Sequence, residues 1–296
     1  MSQKKALIID GNNYLNRGHW GTPPLTNSDG MQTNGILGFI NILLADLEAL
    51  DPNYLAVTFD KGGKPNWRKE LYPDYKANRE ARKADAKIAE QMQMIYAQKP
   101  YLSALLRYIG IRVSSVAGQE ADDIIGTLCT RFTESDVLSI IGSKDKDFAQ
   151  LVSKSVVMLD AKDRTLIDVE GIKRIYGVHP KQIVSYLALL GDTSDNIPGV
   201  KGCGEKTAAK LLQEHKTLKG VNKAVLTPKL RSNFNLVRSN FNLTRKLLTI
   251  KTDLELGTRL QDCVVPTQIS DPEKFNQLCN ALSLNTVKRS LLNQFQ

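Results

Sequence analysis

Three short apolar runs, each followed closely by an aspartate, constrain the fold of this 296-residue chain more than any other feature. The runs occupy residues 6–9, 54–59 and 137–141, and the aspartates are Asp10, Asp60 and Asp145. Apolar stretches of this length are typical of strands buried on both faces of a sheet. Helical patterns lie at residues 36–50, about 86–108 and 121–132. Strands alternating with helices predict an α/β fold with a mostly parallel sheet.

Carboxylates are expected to gather at one edge of that sheet. The carboxyl ends of parallel strands lie side by side, and ligands usually bind there. A single aspartate after a strand is as often a simple turn residue. Further acids come in tight sets, and those that open a helix could serve only as caps. These sets are Glu120 with Asp122 and Asp123, Asp145 with Asp147, and Asp192 with Asp195.

The type of ligand points to the chemistry of the site. The three histidines are scattered, and the four cysteines contain no C-x-x-C pair. Clustered carboxylates repel one another unless they are protonated or neutralised by cations. Oxygen ligands without histidine or cysteine select Mg²⁺ or Mn²⁺, and paired ions of this kind hydrolyse phosphodiesters. The sequence therefore predicts a metal-dependent phosphoryl-transfer site.

Composition narrows the class of partner. Forty Lys and Arg against 31 acidic residues give a formal net charge of +9, which suits a polyanion such as nucleic acid. The cysteines are interpreted as reduced thiols of a cytosolic protein. The N-terminus lacks the pattern of a signal peptide, and no segment has the apolar length of a membrane span. We expect a soluble, cytoplasmic protein without a membrane partner.

The character of the chain changes near residue 172, beyond which helices and turns predominate. Helical candidates are residues 180–190, 205–214 and 229–248. The last contains RSNFNLV followed by RSNFNLT, a duplicated heptad at 231–244. We interpret it as a local duplication packed on the domain and assign it no function. The division predicts an α/β domain at 1–175 and a helical region at 176–296.

A basic segment at residues 67–87 holds seven Lys or Arg against four acids. On charge alone, a solvated helix face with i,i+4 pairs would explain it. Trp67, Tyr72 and Tyr75 are interleaved with the cations. Aromatic faces can stack on bases while cations meet phosphates, so this segment is a candidate for binding single-stranded nucleic acid.

A glycine-rich segment at residues 197–210 is the more specific basic element. Its glycines permit a tight hairpin, and the helix that follows offers free N–H groups to a phosphate. The spacing departs from both a Walker A loop and a dinucleotide fingerprint. What remains is a helix-hairpin-helix-like element that grips a DNA backbone without reading sequence. Its candidate DNA-binding residues are Gly199, Lys201, Gly202, Gly204, Lys206 and Lys210.

Eight segments together resemble a known family. They are LIIDGNNYL, PPLTNSDG, VTFDKGG, YKANR, GQEADDIIGTL, SKDKDFAQLV, LALLGDTSDNIPGVKGCGEKTAAKLL and LLTIKTDLEL, and they cover roughly residues 6–256. In this order they are similar to the 5′ nuclease domain of bacterial DNA polymerase I and to phage and cellular flap endonucleases. The resemblance implies a PIN-like fold, a helical arch at about 67–107 and a helix-hairpin-helix-like (H3TH) element in the helical C-terminal part.

The resemblance also assigns roles to residues. It implies a first metal site formed by Asp10, Asp60, Glu120 and Asp122, with Asp123 in or beside it. A second site would use Asp145, Asp147, Asp192 and Asp195. Lys76 and Arg79 would contact the scissile phosphate from the base of the arch, where Tyr75 could stack on a base. Arg82 and Lys83 would add DNA contacts, and K⁺ could assist the hairpin at 199–204.

The implied reaction is attack by metal-activated water on DNA, leaving a 5′-phosphate and a 3′-hydroxyl. Implied catalytic residues are Lys76, Arg79, Asp10, Glu120, Asp122 and Asp192. The cofactor would be Mg²⁺, two or more ions, with Mn²⁺ as a substitute. The partner would be branched, nicked or 5′-ended duplex DNA with a single-stranded flap, bound by a monomer. Because no polymerase region follows, we expect a free-standing nuclease, and the intact GDTSDN motif favours a complete site.

Two other classes of function compete. A toprim-type enzyme would use Glu120 with the Asp145–Asp147 pair, but it leaves Asp10, Asp60, Asp192 and Asp195 unexplained. A non-catalytic, structure-specific DNA binder could retain the same fold. A concentration of carboxylates disfavours it, because a mere binder of polyanions gains nothing from negative charge.

Overall fold

The fold was analysed in a computed structural model that describes residues 3–79 and 85–295. Its core is a six-stranded sheet with the strand order β3-β2-β1-β4-β5-β6. Neighbouring strands are parallel except for the last pair, β5 and β6, which is antiparallel. The strands are β1 Lys5–Asp10, β2 Tyr54–Thr58, β3 Arg112–Ser114, β4 Leu138–Gly142, β5 Val156–Leu159 and β6 Leu166–Ile167.

The central strand β1 explains why the sequence contains a purely apolar run there. It lies between β2 and β4, and residues 6–9 are fully buried. Helices cover both of its faces, so neither face can carry a polar side chain without cost. The predicted α/β fold with a mostly parallel sheet is confirmed. The short strands β3, β5 and β6 were not predicted, because two to four residues are too few to show a period.

Helices sandwich the sheet and build a core on each face. One core receives Gly11–Gly21, Asn34–Leu50 and Ala86–Ile109, with the C-terminal helices beyond them. The other core receives Ala121–Glu134 and joins the sheet to the helical region. Further α-helices with both ends in the described residues are Trp67–Leu71, Val169–Tyr176, Ile183–Leu190, Glu205–His215, Leu218–Lys223, Pro228–Val237, Phe241–Leu248, Pro272–Ala281 and Asn285–Gln294.

The predicted long helix at 229–248 is wrong in one respect. It is interrupted by a 3₁₀ turn, Arg238–Asn240, which separates Pro228–Val237 from Phe241–Leu248. Ser and Asn side chains compete with helical backbone bonds, and Ser239 and Asn240 lie in the turn. Both heptad copies still bury their phenylalanine, and the rings of Phe234 and Phe241 pack edge to face at 5.2 Å.

Several sequence-based expectations concern the basic segment and the cysteines. Short helix Trp67–Leu71 begins the span predicted to form the arch, and long helix Ala86–Ile109 makes up most of its second half. Arg82 and Lys83 lie outside the described residues. The four cysteines are free and buried, and no described helix is long and apolar enough to cross a membrane. The domain boundary at 175/176 remains a prediction.

Candidate active site

The acidic residues lie at the carboxyl edge of the sheet, and the local structure of each chain segment holds them there. Asp10 is the last residue of β1 and caps the helix Gly11–Gly21, accepting a hydrogen bond from the N–H of Asn13 at 3.0 Å. Its other oxygen accepts a bond from Ser143 Oγ, at the end of β4, at 3.1 Å. Asp10 is therefore fixed between the two central strands.

Asp60 follows β2 on the neighbouring side of Asp10. One of its carboxylate oxygens accepts the Ala121 N–H at 2.8 Å, and the other accepts the Asn12 side chain at 2.7 Å. Because Ala121 is the first residue of the helix Ala121–Glu134, the charge of Asp60 also meets the positive end of that helix. This contact brings Glu120 and Asp122 to the same edge.

The second set of acids is held by two tight turns. Asp145 caps the 3₁₀ helix Lys146–Gln150 through the N–H of Asp147 at 3.0 Å. Asp192 pairs with Ile197 through two backbone hydrogen bonds of 2.8 and 2.7 Å, and this pairing closes the loop that carries Asp195. Within the loop, Asp192 Oδ1 accepts bonds from Ser194 N and Oγ at 2.8 and 2.6 Å.

A cavity of about 420 Å³ opens where these elements meet. Five of its lining residues are acidic and four are basic, so charge of both signs is concentrated in a small volume. The lining is Asn13, Lys76, Arg79, Asp122, Lys144, Asp145, Lys146, Asp147, Asp192, Thr193, Ser194 and Asp195. We call this space the acidic cavity. Asp10, Asp60 and Glu120 are not among these lining residues, but the charges of Asp10 and Glu120 act on Asp122, and that of Asp60 acts on Asp10.

Burial, together with the charge of neighbouring carboxylates, raises the pKa of several of these acids. Burial, followed by the charge of Asp60, raises the pKa of Asp10 to about 6. Burial and the charges of Asp145 and Asp192 raise the pKa of Asp147 to about 8. The pKa of Asp122 is raised by desolvation and then by Asp10 and Asp145. Carboxylates in this state favour a neutralising cation.

Three basic side chains partly supply that neutralisation. Lys76 Nζ contacts Glu120 Oε1, Arg79 lies 2.8 Å from Asp195, and Lys146 lies 2.9 Å from Asp192. Lys76 adopts a left-handed backbone conformation, with φ 60°, and its N–H donates to the carbonyl of Asp195 at 3.0 Å. Sequence reasoning did not single out Lys146, although its place between two aspartates could have suggested it.

Asp123 does not line this cavity, and its expected place in or beside a metal site stays a prediction. Its side chain is completely buried, and Arg68 donates hydrogen bonds to both of its carboxylate oxygens at 2.8 and 2.9 Å. The indole N–H of Trp67 and the N–H of Lys251 complete its partners at 2.9 Å each. With all these donors in place, Asp123 is a structural counter-ion of Arg68. Sequence reasoning missed Arg68 because the burial of one cation within a basic run leaves no local signal.

Tyr75 also differs from expectation, because its ring is only 2% exposed and cannot stack on a base in this conformation. Its hydroxyl lies 3.0 Å from Glu120 Oε2 and 2.9 Å from Asp195 Oδ2, so it bridges the two acidic sets. The ring of Trp67 also contacts neighbouring side chains of the protein. Arg68 and Lys251 lie 4.4 and 4.2 Å from its ring centroid.

The glycine hairpin begins directly after the Asp192 loop. Gly202 has φ 85°, and a side chain on Gly199 would collide with the backbone of Leu190, so both positions require glycine. Gly204 precedes the helix Glu205–His215 as its N-cap. The expected DNA-binding lysines, Lys201, Lys206 and Lys210, are all exposed.

The residues of the acidic cavity fit a hard divalent cation by ligand type. Its ligands are carboxylates without histidine or cysteine, and Asp147 Oδ1 is buried without a hydrogen-bond partner among the described residues. No described residue donates a hydrogen bond to Asp122. Among the described residues no group of three or more acidic, His or Cys side chains is arranged to hold one ion, so a cation here would be held by one or two carboxylates together with water, or by carboxylates that move closer.

Sequence comparisons cover nearly the whole chain. Residues 5–177 match the family "5′-3′ exonuclease, N-terminal resolvase-like domain", and residues 178–271 match "5′-3′ exonuclease, C-terminal SAM fold". The 5′-3′ exonuclease of Aquifex aeolicus is 30% identical, over 97% of this chain and 95% of that protein. DNA polymerase I of Caldicellulosiruptor bescii is 38% identical over 87% of this chain, which spans only 30% of that polymerase.

Two solved structures share the fold over almost the full length. The zinc-bound 5′-exonuclease of phage T5 superposes with a TM-score of 0.71 at 18% identity, covering 99% of this chain and all of that one. A T5 flap endonuclease in a pseudo-enzyme-product complex with DNA and metal ions gives a TM-score of 0.68 at 19% identity, over 98% of each chain.

Proposed function

The chain belongs to the 5′-3′ exonuclease family, and from that premise we propose that it is a Mg²⁺-dependent, structure-specific 5′ nuclease. Its substrate would be branched, nicked or 5′-ended duplex DNA with a single-stranded flap. Hydrolysis would leave a 5′-phosphate and a 3′-hydroxyl. The observation that carries the proposal is the acidic cavity, where carboxylates from distant parts of the chain meet and where the pKa values of Asp122 and Asp147 are raised.

The metal ligands are proposed in two sets, and Asp122 of the first set lines the acidic cavity together with the second set. Asp10, Asp60, Glu120 and Asp122 would hold one ion, and Asp145, Asp147, Asp192 and Asp195 would hold another. Bound Mg²⁺ would neutralise charge on the phosphate and help to generate the nucleophile, and Mn²⁺ would substitute. Oxygen ligands from both sets suit these hard cations.

The basic residues of the cavity would position the scissile phosphate. Lys76 and Arg79 now bind Glu120 and Asp195, but the Arg79 side chain is 52% exposed and free to exchange one anion for another. When metal ions neutralise the carboxylates, these two cations become available to phosphate oxygens. Arginine suits this role because its planar fork matches phosphate geometry. Lys146 is placed to join them.

The glycine hairpin is proposed to grip the duplex backbone. It follows the Asp192 loop without a break, so a duplex held there would be in fixed register with the cavity. Lys201, Lys206 and Lys210 would meet phosphates, and the N-terminus of Glu205–His215 would add N–H groups. K⁺ could assist, although the carbonyls of Val200 and Lys201 already accept hydrogen bonds from Cys203 and Asn233.

Cleavage of a 5′-flap DNA and of a matched blunt duplex, with Mg²⁺ or EDTA, tests this proposal. Wild type should cut near the flap junction only with Mg²⁺, and Asp192→Asn should lose cleavage while it still binds DNA. Asp136→Asn, in an exposed turn before β4, is the matched control and should cut normally. Binding without cleavage under every metal condition would leave a DNA-binding protein on a nuclease fold and refute the proposal.

A further inference from the structure

A long basic groove runs along the helix Phe241–Leu248, outside the acidic cavity. Two surface cavities of about 540 and 520 Å³ share Asn242 and Arg245, so they lie side by side. Together they are lined by residues from the short helix Leu218–Lys223, the duplicated heptad and the start of the basic segment. We call this feature the basic groove.

Charge in the basic groove is of one sign. The lining contains five cations and no acid; the cations are Lys219, Arg238, Arg245, Lys246 and Lys251. In the acidic cavity, by contrast, Lys76, Arg79 and Lys146 each contact a carboxylate. None of the five groove cations forms an ion pair with any residue in the described ranges 3–79 and 85–295. Unpaired cations lining a concave surface concentrate positive potential and attract anions.

The two copies of the duplicated heptad use their polar side chains differently. In the first copy, Arg231 donates to the carbonyls of Asn222 and Ala224, and Asn233 donates to the Lys201 carbonyl at 2.7 Å. The hydrogen bonds of these two side chains therefore stabilise the fold. Their counterparts in the second copy, Arg238 and Asn240, are exposed, and Arg238 lines the groove beside Asn242. The second copy thus presents polar groups that the fold does not use.

The ends of the groove adjoin both parts of the proposed DNA-binding surface. At one end lies Trp67, whose neighbour Arg68 is 3.2 Å from Glu120, one of the proposed metal ligands. Phe234 lines the other cavity, and its neighbour Asn233 donates to the carbonyl of Lys201 in the glycine hairpin. Because Arg68 and Lys251 lie against the Trp67 ring, the groove offers charge and amide groups and no open aromatic face.

We propose that the basic groove binds the sugar–phosphate backbone of the DNA substrate outside the acidic cavity. The assignment rests on the proposed nuclease function and extends it to a second contact surface. Arginine, lysine and asparagine side chains bind phosphate oxygens without reading sequence. The bound backbone belongs either to the single-stranded flap or to the duplex, and both present the same phosphodiester chemistry.

Equilibrium binding in EDTA tests this assignment without any need for cleavage. The triple variant Arg238→Gln/Arg245→Gln/Lys246→Gln is compared with a control of equal charge change, Lys4→Gln/Lys154→Gln/Arg289→Gln, at exposed positions away from the groove. Affinity for a 5′-flap DNA, a blunt duplex and a single-stranded oligonucleotide is measured over a series of salt concentrations. Thermal unfolding verifies that both variants fold.

Loss of three phosphate contacts should make the slope of log K against log salt shallower by about 2 to 3, whereas the control should retain the wild-type slope. Loss confined to DNA with a single strand assigns the groove to the flap, and equal loss on the blunt duplex assigns it to the duplex. Equal losses in the groove and control variants on every DNA would overturn the proposal. If the triple variant unfolds, Arg238→Gln alone should change the slope by about 0.7 to 0.9.

The experiments distinguish failure of the nuclease proposal from failure of the groove proposal. A wild-type protein that binds DNA but never cleaves it with Mg²⁺ refutes the nuclease proposal, while the salt slopes in EDTA still decide whether the groove holds a backbone.

Discussion

Asp122 and Asp123 are consecutive residues of one helix, yet they lie in opposite surroundings. Asp123 faces a buried cluster in which Arg68, Trp67 and the Lys251 N–H satisfy its carboxylate. Asp122 faces the acidic cavity, where its nearest charged neighbours include Asp10, Asp145 and Glu120 and its pKa is raised. The helical rotation between neighbours places one aspartate in a compensated environment and the other in an uncompensated one.

This difference separates a stabilising acid from a reactive one. A buried charge with a bidentate partner contributes to a unique packing, and removal of either partner leaves the other unpaired. A carboxylate without donors carries a desolvation penalty that a proton or a bound cation relieves. The family motif contains both aspartates, so the motif alone could not assign these roles.

The largest expected effects distinguish the two aspartates, because substitution of Asp122 should reduce activity and substitution of Asp123 should reduce stability. Asp122→Asn should lower the cleavage rate by about 10³-fold, because loss of one metal ligand removes several kcal/mol of transition-state stabilisation. Its metal-free form should unfold at higher denaturant concentration than wild type, since a repelled charge has been removed. Asp123→Asn should instead lose about 3–5 kcal/mol of unfolding free energy, because Arg68 remains buried without its counter-ion.

Both variants are measured by flap cleavage per folded molecule and by urea unfolding in EDTA. Folded Asp123→Asn should retain cleavage within about tenfold of wild type, as expected of a residue that does not touch the reacting groups. If Asp123→Asn lost as much activity as Asp122→Asn while remaining equally stable, the separation of their roles would be wrong.

The pH dependence of the free energy of unfolding tests the raised pKa of Asp10, one of the acids close to the acidic cavity. The pKa of Asp10 rises from 3.8 to about 6, so the folded state holds its proton at higher pH than the unfolded state does. The free energy of unfolding should therefore fall as pH rises from about 4 to about 6 and then stay level. The full loss is about 3 kcal/mol, and roughly half of it should fall between pH 5 and pH 8.

Urea unfolding of wild type and Asp10→Asn in EDTA isolates this contribution from the other acids. The difference between the two proteins should grow with pH, and Mg²⁺ should restore wild-type stability at pH 8, because a ligand that binds only the folded state stabilises it. A difference independent of pH would show that Asp10 ionises normally.

The smallest expected effect concerns Tyr75, whose hydroxyl bridges the two acidic sets by contacting Glu120 and Asp195. Tyr75→Phe removes a hydroxyl that donates to a charged group, at a cost of about 1.5 kcal/mol in stability. We also expect cleavage to slow by about tenfold, since an energy of this size in the transition state gives that factor. Steady-state kinetics should show the loss in kcat with KM unchanged. A rise in KM alone would instead favour a base-stacking role for this ring.

Much of the fold and of the acidic constellation could be predicted from the sequence. Strands β1, β2 and β4 carry clear apolar runs, and the family motifs identify the acids that follow them. The family resemblance was confirmed by matches over residues 5–271. The short strands and the break at Arg238–Asn240 were missed, because a few residues give no periodic signal and local competition for backbone bonds decides such turns.

The sequence by itself determined which strands are buried, which acids end them and which family the chain belongs to, because these depend on residue type and spacing along the chain. Only the tertiary structure decided that Asp123 pairs with Arg68, that Tyr75 is buried between two acids, and that the second heptad copy lines a basic groove. Each of these depends on partners distant in sequence. The ionisation and availability of a side chain are set by the partners that folding brings to it.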